Sequence, residues 1–177
     1  MDEYGKLLVP LNSALQRKFV ALQVLPGMGF GDPEKWWCTN GKRPRPHEGV
    51  DICCYVDDSQ QHCLLGESIQ VPFFSDGKVI AITKDFHASS VFVRERAGEI
   101  GHSVAVYSHI LPVVQCGCKV MKGGPAGMVA PSTGPVPPHL HLSLLKIFPG
   151  FPREHLNWDF LNRCDGSIFV NPFLENK

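Results

Sequence analysis

Near the C-terminal third of the chain, Leu140, Leu142 and Leu144 alternate with His139, His141 and Ser143 in the segment Pro137 to Leu144. Side chains two positions apart share a face on an extended strand, whereas on a helix they point about 200° apart. The segment is therefore expected as a strand that turns its leucines to a core and delivers both imidazoles to one place. By itself the pattern fits two histidines on a solvated strand face equally well.

Other short β-type runs precede it: Gly49 to Val56, Ser68 to Phe74, Lys78 to Thr83, Val91 to Arg94 and Ser103 to Ile110. Turn residues separate them. Asp76-Gly77 is placed as a two-residue hairpin turn between two runs, and Gly123-Gly124-Pro125 breaks the chain before the last. The fold class expected is all-β with mainly antiparallel sheet. Residues 1–45, broken by Pro-Gly and Gly-Asp-Pro and carrying the pair Trp36-Trp37, read as an irregular N-terminal arm or lid. That aromatic pair is expected to close a core edge rather than to grip a ligand. After Pro149, Arg153 to Arg163 brings Leu156, Trp158 and Phe160 together on a short C-terminal helix, and the apolar Phe169 to Leu174 docks on the core. A single domain over 1–177 is expected, with an arm 1–45, a core 46–148 and a packing extension 149–177.

The 17 basic and 17 acidic residues cancel, so the basic excess of a phosphate-binding surface is missing and nucleic acid is not expected as a partner. Met1-Asp2-Glu3-Tyr4 lacks the basic start of a secretory signal, and the apolar run Leu7 to Leu11 is short for one. No stretch approaches the roughly twenty apolar residues of a membrane span. A soluble monomer is expected, of undecided compartment. The seven cysteines are an odd number and form no paired C-x-x-C knuckles, which favours structural thiols over a disulfide framework.

His47 and Asp51 stand four apart in a proline-flanked, β-type stretch, so on a strand both project from one face. His109 ends the run Ser103 to Ile110. Each piece alone has an ordinary structural explanation. Together they supply three N and O ligands with one position left for water, the set that catalytic zinc requires. His47, Asp51 and His141 are the expected metal ligands, and His109 and His139 the groups that position water, donate to an oxyanion and carry a proton. Glu48 invites comparison with the H-E-x-x-H zincins, but Asp51 replaces the second histidine and a strand would aim Glu48 away from His47.

The three motifs HEGVD (His47 to Asp51), YSHI (Tyr107 to Ile110) and PHLHLSL (Pro138 to Leu144) resemble, in order and separation, the signature of the lysostaphin-like or LytM-type zinc metallopeptidases. Cys118 to Gly127 is similar to the family's strand and turn between the last two motifs. The resemblance spans His47 to Ile147. It implies a compact antiparallel core, a distorted β-sandwich of the duplicated hybrid motif type, with a zinc-bearing groove that cleaves peptide bonds of bacterial peptidoglycan. By the same resemblance His47, Asp51 and His141 match the family's zinc ligands and His109 and His139 its catalytic histidines. Lys84 to Gly101 lacks the family's glycine-rich run, and Leu142 stands where phenylalanine is frequent.

The alternative is a noncatalytic LytM-like module that binds or regulates at the cell wall. Such relatives usually lose ligands, and here all five site residues are present. A sandwich like the sugar-transport phosphocarrier domains, with histidines handling a phosphoryl group and no metal, would leave Asp51 without a purpose.

Overall fold

The computed structural model describes residues 2–95, 102–132, 134–164 and 166–174. The chain runs α1 (Asp2–Leu11), β1 (Phe19–Gln23), β2 (Val50–Ile52), β3 (Cys54–Asp57), β4 (His62–Leu64), β5 (Gln70–Pro72), β6 (Gly77–Lys84), β7 (Ser89–Glu95), β8 (His102–Pro112), β9 (Lys119–Val120), β10 (Pro125–Val129), β11 (Leu140–Ile147), α2 (Trp158–Leu161) and β12 (Phe169–Val170). Every strand pairing is antiparallel. A three-stranded sheet is ordered β1-β3-β4, and a larger sheet runs β12-β11-β8-β7-β6-β9 with β2, β5 and β10 attached. The all-β expectation with a short helix holds.

Strand β11 organises the site because both its edges are used. One edge pairs with β8 from His141↔Ser108 to Ile147↔His102. The other takes β2 at its start, where His141 lies opposite Asp51, and β12 at its end. The alternation that foretells this strand sorts its side chains as expected. Leu140, Leu142 and Leu144 enter the main core with Tyr4, Phe73, Ala105 and Tyr107. Each such leucine stabilises the fold by roughly 1.5–3 kcal/mol through burial, and truncating Leu142 to Ala would cost about 2–5 kcal/mol. A second core lies on the opposite face, where Val104, Val106 and Leu145 meet Leu156, Leu161 and Phe169 of the C-terminal segment.

Three expectations need correction. Residues 1–45 are not irregular throughout, since α1 and β1 lie within them. Gly5 and Pro10 disguise the helix, yet Tyr4 and Leu8, one turn apart, are both buried. Asn12 then fixes the helix end to β5, donating to the carbonyls of Leu8 and Gln70 and accepting the Gln70 amide at 2.8–2.9 Å. Asp76-Gly77 is no hairpin turn: β5 pairs with β10 while β6 pairs with β7 and β9, so the strands flanking the dipeptide never meet. The C-terminal helix is two pieces, a 3₁₀ turn Arg153–His155 and the four-residue α2, because Asn157 is extended and caps α2 by accepting the Phe160 amide.

Candidate functional site

Among the described residues, His47, Asp51 and His141 form a group able to hold a metal ion. Asp51 and His141 come together as cross-strand neighbours of β2 and β11. The expected strand geometry does not bring His47 to them. It precedes β2 in irregular backbone, and its place is set by hydrogen bonds: its amide to Asp32 O (3.1 Å) and its carbonyl from the Gly31 amide (2.8 Å).

The facing atoms are His47 Nε2, Asp51 Oδ1 and His141 Nδ1. Their separations are 3.1 Å between the imidazoles, 3.3 Å from His47 to Asp51 and 2.8 Å from His141 to Asp51. A tetrahedral ion with bonds near 2.0–2.1 Å sets its ligands about 3.3 Å apart. The residues present therefore fit such an ion with little movement.

The opposite ring atoms are committed elsewhere, which fixes how each imidazole presents itself. His47 Nδ1 donates to the Gly29 carbonyl at 2.9 Å, leaving Nε2 as a lone-pair donor. His141 Nε2 is engaged by Ser143 Oγ at 2.8 Å. His139 Nδ1 donates to the Pro137 carbonyl at 2.9 Å, and its Nε2 stands 3.6 Å from Asp51 Oδ1. Burial pushes His139 down to about 4, against the pull of the Asp51 charge.

Asp51 is 2% exposed and both its oxygens are occupied. Burial pushes its carboxyl up, but the adjacent His141 and His47 imidazoles outweigh this and hold it well below the ordinary carboxylate range. Oδ2 accepts Trp36 Nε1 at 2.6 Å and Arg43 Nη2 at 3.1 Å. Trp36 does pack on the small buried group Met28, Cys53 and Cys54, in line with a core-edge role. Its hydrogen bond to Asp51 and its edge contact with the His139 ring at 5.4 Å had no sequence signal. All seven cysteines are free thiols.

His109 sits where β8 changes partners. Up to Ser108 the strand pairs with β11, and from Ile110 it pairs with β10. The β7 register slips between Ser89↔Ile110 and Val91↔Tyr107, which places an extra residue on β8. His109 takes φ +64°, unusual for a non-glycine residue, and this bulge turns its ring toward His139 and His141, with centroids 4.8 and 5.8 Å away.

Asp85 holds that conformation. Its Oδ2 accepts the His109 amide at 3.0 Å and the Ser90 hydroxyl at 2.8 Å, while Oδ1 accepts the amides of His87 and Ala88. His109 Nδ1 lies 3.2 Å from Asp85 Oδ1 but out of line for a hydrogen bond. Burial raises the Asp85 carboxyl, and His109 with the surrounding amides more than reverses this, keeping it far below the usual range. Burial lowers His109 itself, against the pull of Asp85. Asp85 belongs to the stretch where the sequence departs from the lysostaphin-like pattern, so no motif pointed to it. A groove lined by Trp37, Phe86, Val136 and Trp158 opens over Asp51, His109, His139 and His141.

No family model matches the sequence, and no curated protein matches it significantly. Solved structures do. The catalytic domain of the antimicrobial peptidase lysostaphin from Staphylococcus simulans matches with a TM-score of 0.54 and 19% identity, over 81% of this chain and 85% of that one. The catalytic domain of a mutant of the prophage-encoded M23 protein EnpA from Enterococcus faecalis gives a TM-score of 0.54 and 18% identity, over 90% of this chain and 92% of that one. At such identities the likeness is one of architecture, and by it this chain has the fold of the lysostaphin-like peptidase catalytic domains.

Proposed function

We propose that this chain is a zinc-dependent metalloendopeptidase hydrolysing peptide bonds of bacterial peptidoglycan. His47, Asp51 and His141 are its zinc ligands, and His109 and His139 its catalytic residues. The observation that carries the reading is the triangle of His47 Nε2, Asp51 Oδ1 and His141 Nδ1, whose edges of 2.8–3.3 Å suit a tetrahedral ion. The substrate class rests on the likeness to the lysostaphin catalytic domain.

Zinc bound by one carboxylate and two neutral imidazoles supplies a Lewis acid that lowers the pKa of water from about 16 toward 7. His139, neutral at pH 7 with Nδ1–H held by Pro137, offers Nε2 to take a proton from the attacking water and return it to the leaving amine. His109, fixed by the bulge and by Asp85, donates to the oxygen that gains charge in the tetrahedral intermediate. Trp37, Phe86 and Trp158 limit water at the groove, which strengthens both interactions. In this reading residues 46–148 are the catalytic core and the flanking segments build the groove walls. The protein acts as a monomer without nucleic acid. No helix among the described residues is long and apolar enough to cross a membrane.

The noncatalytic reading draws on one observation, the Arg43–Asp51 ion pair at 3.1 Å, which can balance the carboxylate without a metal. One experiment separates the two. The zinc-loaded protein is incubated with purified peptidoglycan and released fragments are identified by mass. New peptide termini are expected, lost on chelation and restored by zinc. Hydrolysis that persists through complete demetallation would overturn the mechanism.

A further inference from the structure

Three cavities with shared lining residues lie beside the candidate metal centre. The groove over Asp51 and the two catalytic histidines shares Glu48 and Asn162 with a middle cavity of about 330 Å³ and with a larger chamber of about 680 Å³, which His47 also lines. The chain as a whole has equal numbers of acidic and basic residues. In the middle cavity and the larger chamber the balance is broken: Lys35, Arg43, Arg45 and Arg163 face a single acid, Glu48.

Of these cations only Arg43 is paired with a carboxylate, that of Asp51. Arg45 Nη1 donates to the Cys164 carbonyl at 3.0 Å and Arg163 Nε to the Asp159 carbonyl at 2.7 Å. No acidic side chain among the described residues pairs with either arginine or with Lys35. A guanidinium carries five N–H donors in a fork matched to a carboxylate, so most of the donors of Arg45 and Arg163 remain open to a ligand. The wall of the larger chamber also carries the apolar side chains of Phe30, Leu161 and Phe169, beside the polar His47, Glu48 and Asn162. A carboxylate carried on an aliphatic stem matches both surfaces.

The geometry points to a carboxylate-binding subsite built from Arg45 and Arg163, which selects a substrate peptide bearing free carboxylates over an uncharged glycine bridge. This rests on the peptidase reading and adds to it which kind of peptide is bound. The two arginines of the subsite lie outside the motifs and the metal ligands, although His47 and Glu48 line the same chamber. The subsite arises where the arm 1–45 meets the extension 149–177, the two segments for which the sequence offers no family pattern.

The test is calorimetric titration of the zinc-loaded full chain with two peptides, acetyl-Ala-Glu-Ala-Ala with a free C-terminus and acetyl-Ala-Gln-Ala-Ala-amide. The charged peptide is expected to bind about 10-fold more tightly at low salt, as two arginine–carboxylate pairs allow. In the Arg45→Gln/Arg163→Gln variant the preference should collapse to less than about 2-fold, and the corresponding double lysine variant should keep part of it. Thermal melting and zinc content of each variant establish that it is folded. Equal binding of the two peptides by the wild type, or a preference that survives the glutamine variant, overturns the subsite. The peptidase reading fails on a different result: charge preference intact while peptidoglycan is left uncut.

Discussion

Gly49 and His141 approach so closely that a Cβ on the glycine would stand 2.7 Å from the imidazole Nε2, and 2.6 Å from both the Ser143 hydroxyl and the Leu142 carbonyl. The glycine between His47 and Asp51 is thus required by the ring it faces across the sheet. Gly49→Ala must either tilt His141 or part β2 from β11. A loss of about 1–3 kcal/mol is expected for such overpacking, together with loss of bound zinc, read by thermal melting and metal analysis. Wild-type values of both would show that the neighbours yield freely.

His141→Ala should remove zinc, because it deletes one corner of the triangle. His109→Ala and His139→Ala should retain zinc and lose hydrolysis by roughly 10²–10⁴ each. Metal content and peptidoglycan turnover, measured on the same preparations, check the division of roles. Equal metal loss in all three would collapse it.

Trp36→Phe removes a neutral donor to Asp51 Oδ2 and preserves most of the aromatic wall. Loss of such an outer partner typically weakens metal affinity about 10–100-fold. Competition with a chromogenic chelator measures this directly. An unchanged affinity would leave Trp36 as a groove wall only.

Asp85 makes stability depend on pH in a definite sense. Its folded pKa is depressed, so its contribution is complete above the unfolded value of about 3.9 and is lost as pH falls below that toward the folded value. The melting-temperature gap between wild type and Asp85→Asn should hold steady from pH 7 to about 5 and narrow as pH drops below about 4. A gap that stays constant to pH 3 would mean that the charge does not matter there. At neutral pH the variant should also lose hydrolysis while keeping zinc, since Asp85 acts through His109.

Much of the site was legible because its clues are local. The alternation in Leu140 to Leu144 identifies a strand and its buried face, and the order of the three motifs names the five residues that the structure brings together. The convergence of His47 with Asp51 was foreseen for the wrong reason: His47 lies outside β2 and is held by the carbonyl of Gly29 and the backbone of Gly31 and Asp32. The Asp76-Gly77 hairpin failed because a turn signal reports how the chain can bend, not which strands then pair.

Sequence by itself determined the alternating faces of β11 and the extended character of most strands, and it pointed to the candidate polar site residues, because these follow from backbone periodicity and side-chain chemistry. Only the tertiary structure decided that Asp51 faces His141 across 90 positions, that Asp85 holds the His109 bulge across 24, and that Trp36 and Arg43 take the second oxygen of Asp51. Those relations depend on strand register and on where a long segment closes back over the sheet. Both are settled by burial summed over the whole core, which no local pattern contains.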